Sequence, residues 1–159
     1  MPATAKTPPI RKTIRVAVPA TRAFDVFTAG MHRWWPAVHS ILKAPRAAIA
    51  VEPRVGGRWY ERGVDGSECT WGRVVSWDPP ERVLLTWQLT ADFTYDPDFE
   101  TELEIRFTPE GPNATRVDLE HRHLERYGEK AGMIRPMLDA PEGWTSTLVS
   151  FAATAEAAS

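Results

Sequence analysis

The sequence predicts an α+β fold in which an antiparallel sheet of six or seven strands curls around a long C-terminal helix. Short segments with strand character follow one another along most of the chain. Turn residues separate them, as in the run Asp78-Pro79-Pro80-Glu81. The last segment, residues 139–157, has instead the periodicity of an amphipathic helix. A helix of that length needs a broad apolar surface to lie on, and a curled sheet provides one.

A polar, proline-containing tail precedes the domain. Residues 1–9 are predicted to be disordered, and one domain is expected over residues 10–159. The domain begins with a strand over residues 10–18, because apolar side chains there alternate with polar or small ones. The apolar side chains of this strand are Ile14, Val16 and Val18.

Two short helices are predicted after this first strand. Thr21 has the side chain of an N-cap residue, and Gly30 is placed to end the first helix. The second helix, residues 31–35, stops before Pro36, because the residue that precedes a proline avoids the helical conformation.

The middle of the chain is a series of strands, most of them joined as hairpins. In residues 82–90 the apolar residues recur at every second position, which is the period of a strand with one buried face. The turns between the segments are short, so consecutive strands are expected to be antiparallel neighbours. The six strands predicted in this part are residues 47–52, 58–62, 68–77, 82–90, 101–108 and 115–123.

The C-terminal helix is predicted to begin at Asp139 and to run to Ala157. Asp139 followed three residues later by Glu142 has the form of a capping box, and Pro141 is tolerated in a first helical turn. One helical face is apolar, at the spacing of an amphipathic helix. It consists of Trp144, Leu148, Phe151 and Ala155, with Thr147 and Ala152 beside them.

Composition narrows the function classes. The chain has 159 residues, of which 43% are hydrophobic, and a net charge of -2, which argues against a nucleic-acid partner. The single Cys69 excludes an intramolecular disulfide and a tetracysteine zinc site. No apolar run reaches the length of a membrane span, so we expect a cytoplasmic protein without a membrane partner. No cofactor is expected, and a monomer and a homodimer are both open.

The order of several short motifs resembles a known family. The chain resembles the START-like (SRPBCC, helix-grip) superfamily, in the branch named after the activator of the heat-shock-protein-90 ATPase. The resemblance covers residues 10–157, except that no element is assigned to residues 124–138. The motifs that carry it are Pro19, Trp34-Trp35-Pro36, Pro53-Arg54-Val55-Gly56-Gly57-Arg58-Trp59, Gly72-Arg73-Val74, Asp78-Pro79-Pro80-Glu81-Arg82-Val83, Thr86-Trp87, the strand 115–121 and Glu142-Gly143-Trp144.

This resemblance implies a deep apolar cavity between the curved sheet and the terminal helix. Members of the superfamily use such cavities for lipids, polyketides, hormones and aromatic compounds. The resemblance implies no particular reaction, because members of this branch share a fold without sharing a catalytic motif. The shape of the cavity mouth around residues 124–138 is left open.

Seven tryptophans in 159 residues are candidates either for the core or for the cavity wall. Trp87 and Trp144 are expected to point inward. Of the adjacent Trp34 and Trp35, one is expected in the core and the other at the rim, since neighbours on a helix point about 100° apart. The ligand-binding residues predicted from all these patterns are Trp35, Trp59, Glu61, Trp71, Trp87, His121, His123, Trp144, Leu148 and Phe151.

Two histidines and one glutamate are the polar candidates. His121 and His123 are two residues apart on a predicted strand, so both should leave the same face, and Glu61 shares a face with Trp59. One interpretation is that they supply polar contacts inside an otherwise apolar pocket. A metal site made of these three residues is the weaker alternative, and no metal is predicted.

Three function classes are consistent with the sequence. The favoured one is a protein that binds a small hydrophobic, aromatic or lipid-like molecule. The second is an enzyme of the cyclase, dehydratase or hydrolase kind, with Glu61 as general base and His121 as general acid. The third is a co-chaperone or protein-interaction module, which would expose an apolar patch outside the cavity.

Overall fold

The structure is a computed structural model that describes residues 7–36, 39 and 41–157. A 3₁₀-helical segment, Leu124–Lys130, precedes the third helix, and a π-helical turn, Pro141–Thr145, precedes the fourth. The strands and helices of the described residues are β1 (Ile10–Val16), α1 (Ala20–Thr28), α2 (Met31–Trp34), β2 (Arg46–Val51), β3 (Arg58–Gly63), β4 (Glu68–Asp78), β5 (Arg82–Trp87), β6 (Thr101–Pro109), β7 (Thr115–Arg122), α3 (Ala131–Asp139) and α4 (Ser146–Ala157).

All seven strands form one antiparallel sheet in the order β1-β7-β6-β5-β4-β3-β2. Strands β2 to β7 are neighbours in chain order, and β1 pairs with β7 at the far edge. Register shifts interrupt the pairings β2–β3, β3–β4 and β4–β5, and such bulges bend and twist a sheet. The predicted α+β class is confirmed, with a curled sheet and a C-terminal helix.

The C-terminal helix is shorter than predicted. α4 has 12 residues, and the chain before it forms a separate helix, α3, that already ends at Asp139. The prediction of one helix from Asp139 to Ala157 is therefore wrong, and so is the capping box. Asp139 forms ion pairs with Lys12, at 2.7 Å, and with Arg135, at 3.6 Å, instead of capping a helix.

The break between α3 and α4 begins at Ala140, which is extended before Pro141, and it requires a glycine at position 143. The backbone angles of Gly143, φ -89° and ψ -123°, are not helical. A Cβ atom at this position would lie 2.2 Å from the carbonyl oxygen of Leu138, so the two chain segments approach too closely for any side chain. The apolar periodicity of the sequence continues across this break, which is why periodicity alone did not reveal it.

The predicted apolar face of α4 is buried, as expected. Phe151 is in the centre, with its ring 5.2 Å from that of Phe27 and 5.3 Å from that of Trp34. Trp34 belongs to the core, since it is buried and its indole N–H donates to the backbone carbonyl of Val26. The buried residues of this face are Thr147, Leu148, Phe151, Ala152 and Ala155, and Trp144, in the π-helical turn before α4, is buried as well.

β7 ends one residue earlier than predicted, at Arg122. His123 has a φ of 67°, in the left-handed region, and this residue turns the chain into the 3₁₀ segment. The prediction that His121 and His123 leave the same face is therefore wrong. His121 is fully buried, whereas the side chain of His123 is 37% exposed.

Residues 124–138, to which no element was assigned, form the 3₁₀ segment and most of α3. Arg135 of α3 donates hydrogen bonds to the carbonyls of Pro8 and Pro9, which joins this helix to the beginning of β1. Of the predicted disordered tail, residues 1–6 lie outside the described residues. Within the described ranges, no helix combines the length and apolar character that crossing a membrane requires.

Candidate functional site

A cavity of about 440 Å³ opens between the sheet and the helical segments at the C-terminal end of the chain. This volume lies in the range of small-molecule binding sites. Its apolar lining consists of Trp35, Ile41, Trp71, Trp87, Leu89, Phe93, Met137, Leu138 and Trp144. Its remaining lining consists of His39, Asp92, Glu142, Gly143 and Thr147.

Four tryptophans from four different segments form one wall of this cavity. Trp35 follows α2, Trp71 is on β4, Trp87 ends β5, and Trp144 lies in the π-helical turn. The Trp35 ring is 5.1 Å from that of Trp71 and 5.8 Å from that of Trp144, and the Trp87 and Trp144 rings are 5.4 Å apart. Such tilted and edge-to-face contacts between aromatic rings are favourable. The structure thus brings together four of the predicted ligand-binding residues.

The indole N–H groups of this wall fall into two kinds. Trp87 donates to the hydroxyl of Tyr127, at 3.0 Å, and Trp144 donates to Nδ1 of His121, at 3.2 Å. The N–H groups of Trp35 and Trp71 are buried and have no acceptor among the residues that the structure describes. Two of the four indole N–H groups of the wall therefore have a hydrogen-bond acceptor among the described residues, and the other two have none.

His121 lies behind this wall. It is fully buried, its Nδ1 accepts from Trp144, and its Nε2 is 2.8 Å from the hydroxyl of Thr101. Because Nδ1 accepts, the ring proton is on Nε2. Burial lowers the pKa of His121 to about 3, so the imidazole is neutral at pH 7. His121 supports Trp144 from outside the cavity lining, and its role as a general acid stays a prediction.

Glu61 is also fully buried and lies outside the cavity lining. Its Oε1 accepts hydrogen bonds from the backbone N–H groups of Ile41, at 2.9 Å, and Leu42, at 3.4 Å. Since the Ile41 side chain lines the cavity, Glu61 holds the backbone of one edge of the site. Its role as a general base stays a prediction as well.

The other predicted residues also lie outside the lining. Trp59 donates to the sulfur of Met31, at 3.2 Å, and its ring lies 6.3 Å from that of Trp35. Leu148 and Phe151 are in the core, where the ring of Phe151 packs against Phe27 of α1 and Trp34 of α2. These three residues pack behind the lining residues and do not themselves line the cavity.

His123 points away from the cavity. Its ring nitrogens lie 3.3 Å from Glu102 and 3.7 Å from Glu125, on the outside of the sheet. With His121 and His123 on different sides, the alternative metal triad is not assembled. Among the described residues, no group of three or more His, Cys, Asp and Glu side chains is suited to hold a metal ion.

Four polar lining residues were not predicted. His39 lies 3.5 Å from the hydroxyl of Thr147, and burial lowers the pKa of its imidazole, opposed by a hydrogen bond to the backbone of Glu142. Asp92 lies in the loop between β5 and β6. Glu142 is part of the Glu142-Gly143-Trp144 motif, which was the available signal, whereas an isolated histidine such as His39 gives none.

Known proteins resemble this chain over nearly its whole length. A family model for "Activator of Hsp90 ATPase homolog 1-like protein" matches residues 17–156. The anthrahydroquino-gamma-pyrone synthase Txn09, solved in complex with SUM, is 42% identical, with 93% of this chain and 97% of that chain covered and a TM-score of 0.66. No functionally curated protein matches the sequence significantly.

Two further solved structures share the fold. CalC from Micromonospora echinospora, described as a self-sacrificing resistance protein, is 31% identical, covers 95% of this chain and 96% of its own, and has a TM-score of 0.73. Protein NE0264 from Nitrosomonas europaea is 16% identical over the full length of both chains, with a TM-score of 0.68. At that identity the last similarity concerns the fold alone.

Proposed function

The chain belongs to the family of Activator of Hsp90 ATPase homolog 1-like proteins, and we propose that it binds a small, flat aromatic molecule in the cavity described above. The observation that carries this proposal is the tryptophan wall: Trp35, Trp71, Trp87 and Trp144 around a space of about 440 Å³. Aromatic side chains lining a concave apolar space with a few polar groups are typical of small-molecule sites.

The similar structures support an aromatic ligand. The protein that is 42% identical is named as a synthase of an anthrahydroquino-gamma-pyrone, which is a fused-ring aromatic compound. A flat fused-ring molecule matches a wall of indole rings, because it buries a large apolar area against their faces.

The proposal predicts that filling the cavity abolishes binding. Ile41 lines the site and is half-buried, so the larger indole of Ile41→Trp would occupy ligand space without entering the core. We expect its affinity for neutral polycyclic aromatic compounds, xanthone and xanthene among them, to fall at least tenfold. Quenching of tryptophan fluorescence measures the binding, since four tryptophans line the site.

Val64→Trp is the matched control for this substitution. Val64 is 66% exposed, in the turn between β3 and β4, and it lies outside the cavity lining. The control variant gains the same fluorophore and should bind like the unsubstituted protein. The proposal is wrong if no compound of the series quenches the fluorescence, or if Ile41→Trp binds as tightly as Val64→Trp.

A second candidate function is an enzyme that acts on the bound molecule. His39 favours it, because its imidazole lines the cavity and its lowered pKa leaves it neutral at pH 7, ready to accept a proton. The hydroxyl of Thr147, 3.5 Å from the imidazole, is the nearest polar side chain to orient it. The synthase that is 42% identical supports this candidate as well.

Turnover tests this second candidate. Each compound that binds is incubated with the protein and analysed by liquid chromatography and mass spectrometry. We expect His39→Phe to lower product formation about a hundredfold, the typical contribution of a general base. Glu61→Gln and His121→Gln are compared in the same assay, because the sequence pointed to these two residues. If only Glu61→Gln and His121→Gln lose product formation, His39 is not the general base. If the unsubstituted protein forms no product from any compound, the second candidate function is wrong.

A further inference from the structure

We propose that the ligand carries a neutral oxygen acceptor, a carbonyl or phenol oxygen, that binds the indole N–H groups of Trp35 and Trp71. This inference rests on the proposed function and specifies the chemistry of its ligand. It comes from the hydrogen bonds of the tryptophans and from the charges around the cavity.

The hydrogen-bond partners of the buried tryptophans separate the cavity wall into two parts. Trp34 and Trp59, in the core, donate to the carbonyl of Val26 and the sulfur of Met31. Trp87 and Trp144, on the cavity, donate to Tyr127 and His121. The buried indoles without an acceptor among the described residues are Trp35 and Trp71, and both of them line the cavity.

An unpartnered buried donor destabilises a protein. Leaving an N–H group without an acceptor costs about 1–3 kcal/mol, and proteins seldom retain two such groups side by side without a reason. Trp35 is 5% exposed and Trp71 is 1% exposed, so bulk water does not satisfy them. Their ring centroids are 5.1 Å apart and both residues line the cavity, so the two indoles border the same part of it. An acceptor on the occupant of the cavity would satisfy them.

The charges around the cavity favour a neutral acceptor over an anion. The charged side chains that line it are those of Asp92 and Glu142, and no Lys or Arg is among the described lining residues. Two cations lie near the cavity without lining it: Lys130 is 3.7 Å from the exposed Asp92, and the charge of Arg46 acts on His39. A carboxylate or phosphate inside the cavity would face Glu142 with no Lys or Arg in the described lining to compensate its desolvation. A ketone, quinone, pyrone or phenol oxygen accepts the same hydrogen bonds without that cost.

Xanthone and xanthene test this inference, because they share a tricyclic frame and differ in one carbonyl group. Isothermal titration calorimetry is run with the sparingly soluble compound in the cell and the protein in the syringe. We expect xanthone to bind at least tenfold more tightly than xanthene, as a hydrogen bond to an otherwise unsatisfied donor implies. Equal affinities would overturn the inference and leave the proposed function standing. Failure of both compounds to bind would contradict the proposed function itself.

Tryptophan-to-phenylalanine variants test whether the preference for xanthone over xanthene depends on the N–H groups of Trp35 and Trp71. In Trp35→Phe/Trp71→Phe the ratio of the two affinities should fall towards one, because the rings stay aromatic while the donors are lost. Trp87→Phe is the matched control, since Trp87 lines the same wall but its N–H already has Tyr127 as acceptor. This variant should bind both compounds less tightly by the same factor, so the ratio of their affinities should not change. If the double variant still binds xanthone more tightly than xanthene by the same factor, the carbonyl does not bind the N–H groups of Trp35 and Trp71.

A measurement on the unsubstituted protein makes the test independent of the variants' folding. The carbonyl stretching frequency of bound xanthone, observed by infrared difference spectroscopy, should be lower than that of xanthone in an apolar solvent. An unshifted carbonyl band would overturn the inference.

Discussion

Replacing Gly143 by Ala is expected to lower the free energy of unfolding by about 3 kcal/mol and to displace the cavity rim. The added Cβ would lie 2.2 Å from the carbonyl oxygen of Leu138 and 2.8 Å from that of Met137. Both are backbone atoms of α3, so no side-chain rotation relieves the overlap. Either the end of α3 or the π-helical turn has to move, and Leu138, Gly143 and Trp144 all line the cavity.

Gly132→Ala is the matched control for this substitution. Gly132 is an exposed residue of α3, and a Cβ there would have no atom within 4 Å. Alanine is the better helix former by up to about 1 kcal/mol, so this variant should be as stable as the unsubstituted protein or more so. Urea denaturation followed by circular dichroism measures both changes. The steric argument is refuted if Gly143→Ala unfolds at the same urea concentration as Gly132→Ala.

The stability of the protein is expected to fall on mild acidification because of His121. The pKa of an unfolded histidine is 6.5, and burial lowers that of folded His121 to about 3. Between these two values the unfolded state binds more protons, so stability rises with pH through this window and is constant above it. The loss between pH 8 and pH 5 amounts to about 2 kcal/mol for this one group. Burial lowers the pKa of His39 too, which adds to the same trend.

Replacing His121 by Gln should flatten this pH dependence. The variant is expected to be less stable at pH 8, since the contacts with Thr101 and Trp144 are perturbed, but its stability should change less between pH 8 and pH 5. His123→Gln is the control, because it removes a half-exposed imidazole outside the core. Urea denaturation at several pH values gives the slopes. If the free energy of unfolding of His121→Gln changes with pH as steeply as that of His123→Gln, the loss of stability on acidification does not come from His121.

The sheet was predictable because its signals are local. Alternation of apolar and polar residues is a property of consecutive side chains, and Ile14, Val83 and Leu85 fall on the periods that define β1 and β5. The turn residues between strands are local as well. The strand ends were predicted less accurately: β7 ends at Arg122, because His123 is in the left-handed conformation.

The cavity was predictable only in part. Trp35, Trp71, Trp87 and Trp144 were among the predicted ligand-binding residues, and they do line the cavity. Trp59, Leu148 and Phe151 carry the same signal but pack in the core behind it, because periodicity distinguishes inside from outside and not one interior surface from another. Polar lining residues such as His39 and Asp92 lie in loops, where no periodicity marks a side chain.

The sequence by itself determined the fold class, the order of the strands along the chain and the buried face of α4, since each depends on the spacing of neighbouring side chains. The end of α3 at Asp139 also has a local signal, since Ala140 is extended before Pro141, whereas the close approach of Gly143 to the carbonyl of Leu138 was visible only in the structure. The tertiary structure also decided which indole N–H groups are satisfied. Tyr127 and His121 reach Trp87 and Trp144 from segments 40 and 23 residues away, and partners so distant meet only when the sheet has curled around the helix.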